Sequence, residues 1–88
     1  TLNGTGGNAS GDNNEGVTII FDALIEATGS GSIDVVGNAG AGANANKGIV
    51  FHTGNMRTAG GGITLNGTGA GSNLANFGID LGNNSTVE

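Results

Sequence analysis

The chain has no cysteine, proline, tryptophan or tyrosine, and its only basic residues are Lys47 and Arg57. Without cysteine there is neither a disulfide framework nor a thiolate metal site. Two cations cannot neutralise a run of phosphates, so nucleic acid is excluded as a partner. No apolar run approaches the roughly 18 residues that a membrane-spanning helix needs. No stretch of these residues reads as a signal peptide or a transmembrane segment. What fills the 88 positions instead is glycine, 20 residues, and asparagine, 13. The glycines keep no three-residue period, which excludes collagen. The large apolar residues Val, Ile, Leu and Phe number 20, just above the level of roughly one in five below which chains stay disordered. The formal charge is −5. A chain of this length holds one small domain.

The sequence repeats. Ile33-Asp34-Val35-Val36-Gly37 aligns with Ile63-Thr64-Leu65-Asn66-Gly67, and the offset of 30 holds to Gly48-Ile49 and Gly78-Ile79. Thr1-Leu2-Asn3-Gly4-Thr5-Gly6 matches residues 64–69 identically. Three copies of a unit of about 30 residues fill the chain, approximately 1–32, 33–62 and 63–88. Each copy carries three apolar segments. The first holds Leu2, then Ile33 and Val35, then Ile63 and Leu65. The second holds Val17 and Ile19, then Ile49 and Phe51, then Ile79 and Leu81. The third holds Ile25, then Met56, then Val87. Apolar and polar residues alternate within each segment, the period of a strand with one buried face. Most of the large residues are β-branched or aromatic, which favours strands. No helical period is sustained, so little or no helix is expected.

Short strands at fixed spacing imply an all-β solenoid with three strands per coil, equivalent strands stacking in parallel about 4.8 Å apart. A propeller blade or an antiparallel sandwich would need tight hairpins. Asn3-Gly4 and Asn66-Gly67 are each followed by a long loop before the next strand, which suits a solenoid corner. The fourteen apolar residues named above are the expected core. Thr18 and Thr64 alternate with them and should face solvent. Glu26, Arg57 and Glu88 recur every 31 residues beside Ile25, Met56 and Val87, and are expected to form an outward charge ladder. Side-chain amides of Asn are expected to bond along the stack. Both chain ends fall within a coil, so the sequence is expected to be a segment of a longer repeat protein or a subunit stacked end to end in a fibre.

The repeated Thr-Leu-Asn-Gly-Thr-Gly, together with Ala27-Thr28-Gly29-Ser30-Gly31-Ser32-Ile33 and the Thr58-to-Ile63 stretch, resembles the passenger repeats of filamentous-haemagglutinin-like exoproteins. It also resembles the large β-strand-repeat surface proteins of bacteria. The resemblance covers the whole chain and implies a right-handed parallel β-helix, export across the outer membrane, and a secreted or cell-surface filament, often adhesive.

The chemistry-bearing residues are sparse. The acids Asp34 and Asp80 fall on different strands, and no close carboxylate pair recurs for general acid–base work. Asp12 and Glu15 share a loop and His52 follows Phe51, all read as solvated surface. Asp12, Asn13, Asn14 and Glu15 could offer oxygens to Ca²⁺, but the glycine-rich nonapeptide of calcium-binding β-rolls is missing. No metal, cofactor or catalytic residue is expected. Sequons at Asn3, Asn8, Asn66, Asn83 and Asn84 fit the glycosylation pattern. The expected role is structural: a stiff, adhesive segment that binds its own kind, with glycans or cell surfaces as outside partners. The alternatives are a carbohydrate-active β-helix enzyme domain and an ice-binding solenoid. The latter would need threonine at one position in every coil, where Thr1 and Thr64 are separated by Asp34.

Overall fold

The computed structural model describes residues 1–8 and 10–88. Nine strands and no helix are found among them: β1 Leu2–Thr5, β2 Val17–Ile19, β3 Ala23–Ala27, β4 Ile33–Asn38, β5 Ile49–Phe51, β6 Gly54–Thr58, β7 Ile63–Thr68, β8 Ile79–Leu81 and β9 Ser85–Val87. They form three parallel three-stranded sheets, ordered β1-β4-β7, β2-β5-β8 and β3-β6-β9. Every third strand therefore pairs with its counterpart one repeat away, and the chain makes three coils of a β-solenoid-like stack. The register follows the repeat. Leu2 faces Val35 and Val35 faces Leu65. Ile19, Phe51 and Leu81 form a second column. Ile25, Met56 and Val87 form the third. Thr18 and Thr64, the alternate residues, are exposed.

Glycine lets each coil close sharply between its first and second strands. A Cβ placed on Gly37 would meet the Gly48 carbonyl oxygen at 2.0 Å. Gly4 makes the same approach to Gly16, and Gly67 to Gly78. Any side chain at these necks would force the two backbones apart. Beyond each neck the connecting segment runs out and back as an arm, its limbs still touching: a Cβ on Gly6 would meet the Asn14 carbonyl oxygen at 2.1 Å. The turn in each arm places one residue in the left-handed region, Asn13 (φ 60°), Ala45 (φ 54°) and Ala75 (φ 61°). A second left-handed position recurs before the third strand, at Asp22, Thr53 and Asn84.

The Cα envelope measures 42 × 22 × 14 Å. The shortest dimension is what three layers about 4.8 Å apart occupy. The stack is thus flat, and its two broad surfaces are the open faces of the first and third coils. Burial follows from this shape. Val35, Ile49, Phe51 and Met56 are fully buried, and all four belong to the middle coil. Val17, Ile19 and Ile33 complete the buried cluster, with Ile25, Ile63 and Leu65 packed against it. The expected core is corrected at four positions. Leu2, Ile79, Leu81 and Val87 hold inward register positions yet are 38–55% exposed. They lie in the outer layers, each covered on one side only, although Val17 and Ile19 of the first coil are buried even so. An inward direction removes a side chain from water only when a neighbouring layer is present.

Candidate functional site

The polar side chains that the fold brings together lie between coils. In the arms, Asn14, Asn46 and Asn76 stack as a ladder. The Asn46 Oδ1 accepts from the Asn14 backbone N–H at 3.0 Å and from Asn14 Nδ2 at 2.9 Å. The Asn76 Oδ1 accepts in turn from the Asn46 N–H at 3.0 Å. Asn14 Nδ2 also donates to the Gly11 and Ala41 carbonyls, and Asn76 Nδ2 to those of Ala43 and Asn73. Asn46 is the one fully buried polar residue among those described. Its Oδ1 satisfies the Asn14 backbone N–H, which the turn would otherwise leave unpaired. Each Oδ1 accepts from the coil beneath it, so the ladder has a direction. At its lower end no donor reaches Asn14 Oδ1, and at its upper end the Asn76 N–H has no acceptor, among the described residues.

A second polar column of opposite sense runs beside it. Asp12 Oδ1 accepts from the Asn44 N–H at 2.8 Å, and Asn44 Oδ1 from the Leu74 N–H at 3.2 Å. Asp12 is exposed, as the sequence suggested, and is also tied to the coil above it. Asn14 Nδ2 donates within the ladder, and Glu15 is half-buried. No group of three or more His, Asp or Glu ligands occurs among the described residues.

Three charged or titratable side chains meet on the second sheet. Lys47 Nζ lies 2.7 Å from Asp80 Oδ2. His52 Nε2 is 3.4 Å from the same oxygen, too long for a good hydrogen bond. The His52 ring covers Gly82, where a Cβ would come within 2.3 Å of it. The hydrogen bond from Lys47 holds the Asp80 carboxyl below its ordinary value, against the partial desolvation that would raise it, with His52 adding to the lowering. The cluster clamps the third coil to the second. Sequence reasoning placed His52 on plain surface and left Lys47 out, because the contacts cross diagonally between layers. On the third sheet Arg57 Nε pairs with Glu26 Oε2 across one layer. Glu88 follows in the same column, its N–H bonded to the Met56 carbonyl, but no ion pair joins its side chain to Arg57 among the described residues.

Asparagine in the sequons is exposed at Asn3, Asn8, Asn66, Asn83 and Asn84. Ala9, the middle of the Asn8 sequon, lies outside the described residues. Asn8 Oδ1 accepts from the Ala41 N–H. Asn3 and Asn66 share a column on the outer face of the first sheet with Val36. The outer side of β7 presents Thr64, Asn66 and Thr68 to solvent. Among the described residues no helix is long and apolar enough to cross a membrane.

These features define a β-solenoid-like repeat protein whose polar chemistry is spent on joining one coil to the next. Comparison with protein-family models, curated proteins and solved structures finds no match to this chain.

Proposed function

We propose that this chain is a structural segment of a bacterial extracellular filament or cell-surface adhesin, working by stacking coils into a stiff, non-catalytic column. The observation that carries this reading is the continuity of its ladders. Three apolar columns, one asparagine ladder and three backbone sheets run through every layer. The coils would wind right-handed, the hand that parallel strand–crossover–strand connections take. The extracellular bacterial setting rests on the resemblance of the Thr-Leu-Asn-Gly-Thr-Gly repeats. The neutral, hydrogen-bonding outer face of Thr64, Asn66 and Thr68 suits contact with glycans or other surfaces. Fibre diffraction and electron microscopy of the concentrated chain test the reading. Elongated particles with an axial repeat near 4.8 Å are expected. Globular particles without that repeat, in acid and neutral buffers at low and high salt, would rule it out.

A further inference from the structure

The sequence holds five sequons, and the fold treats them differently. A sequon asks for an asparagine amide with a hydroxyl two residues further on. In a strand, residues two apart share a face. Asn3 and Thr5 lie on β1, and Asn66 and Thr68 on β7, so each pair projects together from the outer side of the first sheet. All four residues are exposed. None of their side chains takes part in a hydrogen bond among the described residues. We propose that Asn3 and Asn66 are N-glycosylation sites, each carrying a sugar on Nδ2 at the outer face of the first sheet, and that the fold withholds the other three sequons. This goes beyond the filament reading and does not require it.

The openness of the two sites does not depend on what precedes or follows these coils. Further coils add strands in the plane of the sheet, whereas these four side chains point out of that plane. On the inner side each sequon is pressed against backbone. A Cβ on Gly4 would meet the Gly16 carbonyl oxygen at 2.1 Å, and one on Gly67 the Gly78 carbonyl oxygen at 2.1 Å. The column also sets a spacing. Asn3 and Asn66 both neighbour Val36 on β4. The middle coil has no sequon there, since Asn38 is followed two residues on by Gly40. The two acceptors therefore stand two layers apart, about 10 Å, where sugars on every layer would crowd at about 5 Å.

Each of the other sequons is engaged or misaligned. Asn8 Oδ1 accepts from the Ala41 N–H at 3.1 Å, which ties its amide between coils. The hydroxyl of the Asn83 sequon belongs to Ser85, whose Oγ donates to the Phe51 carbonyl at 2.9 Å. Asn84 sits at a left-handed corner (φ 58°), outside the extended backbone that lets an asparagine and its later hydroxyl share a face. The transfer itself is a substitution at the sugar. Nδ2 bonds to the anomeric carbon of a sugar carried on a diphosphate, and the bond from that carbon to the phosphate oxygen breaks. The diphosphate leaves with its carrier, a nucleoside or a lipid, and Nδ2 gives up one proton to a base of the transferase.

Two arms test the sites on the purified, folded chain. One supplies a sequon-specific transferase with a nucleotide-activated hexose, and the other its counterpart with a lipid-linked oligosaccharide. Peptide mass spectrometry should find sugar on Asn3 and Asn66 in at least one arm, and little or none on Asn8, Asn83 and Asn84. The arm that modifies them identifies the carrier. Thr5→Ala should abolish modification of Asn3 alone, and Thr68→Ala that of Asn66 alone, with melting temperatures unchanged. Short peptides carrying the sequons should accept sugar at all five asparagines, because they lack the fold. A folded chain left bare in both arms, or modified as readily at Asn8, Asn83 and Asn84, would overturn the proposal. Peptides modified only at Asn3 and Asn66 would overturn the role given to the fold. The filament reading is untouched by any of these results, since it rests on the axial repeat near 4.8 Å.

Discussion

The middle coil and the two outer coils carry the same pattern and have different fates. Phe51 and Leu81 occupy one column; the first is fully buried and the second more than half exposed. Asn46 is buried and bonded on both sides, while Asn14 and Asn76 are bonded on one. Both basic residues sit in the middle layer, each reaching an acid in an outer one. Burial is thus most complete in the layer with a neighbour on both sides, although Val17 and Ile19 of the first coil are buried as well. The inward-facing residue supplies apolar surface, and the adjoining coil decides whether that surface leaves water.

Truncating the middle layer should break this contrast most visibly. Phe51→Ala should cost about 3–5 kcal/mol, a large share of a small domain's stability, whereas Leu81→Ala should cost less than about 1 kcal/mol. Chemical denaturation of the two variants measures the difference, and equal losses would mean that the third coil is as well covered as the second. Asn46→Ala comes next. It strips the acceptor from the Asn14 N–H inside the arm, a loss of about 1–3 kcal/mol, while Asn14→Ala leaves no buried donor orphaned and should cost less. Gly37→Ala should be of similar size, about 1–3 kcal/mol, because its Cβ meets the Gly48 carbonyl; Gly29→Ala, with open space around it, should be neutral.

A smaller effect comes from the clamp between the second and third coils. The folded-state value of Asp80 lies below its unfolded one. Its contribution is therefore complete above about pH 4 and is lost as pH falls through the folded value. The gap in melting temperature between the parent and Asp80→Asn should narrow as the buffer is acidified below about pH 4. The smallest effect sharpens the comparison between arms. The first arm uses Asn13 at its left-handed turn, and the others use Ala45 and Ala75. Ala45→Asn should raise stability by roughly 0.5–1 kcal/mol, because asparagine tolerates that backbone region better than alanine. An unchanged or lower melting temperature would show that Ala45 is held there by packing instead.

The strands and their register were legible because two independent signals agree. Alternation marks the strand faces, and spacings of 30 to 33 residues mark the partners. The necks were legible in part, as recurrent glycines before the second strand. The asparagine ladder had a readable trace: Asn14, Asn46 and Asn76 each stand two residues before Gly16, Gly48 and Gly78. Among 13 asparagines, that pattern alone does not say which amide turns inward. The exposure of Leu2 and Leu81 was not legible, since it depends on which layers are absent above and below them. The Lys47–Asp80–His52 contact was hidden for another reason. Its members sit at different frame positions and meet only once the coils are superposed.

The flat envelope has a mechanical consequence. Bending a beam is resisted by its depth in the plane of bending, cubed, times its width. A column built from these coils would have a section of about 42 by 22 Å. Its two bending stiffnesses would then differ by the square of 42/22, about 3.6-fold. Such a column is a ribbon, compliant toward its broad faces and stiff toward its edges. When such a ribbon is forced to bend edgewise, the hydrogen bonds that join coils along its edges are stretched or compressed before those near its middle.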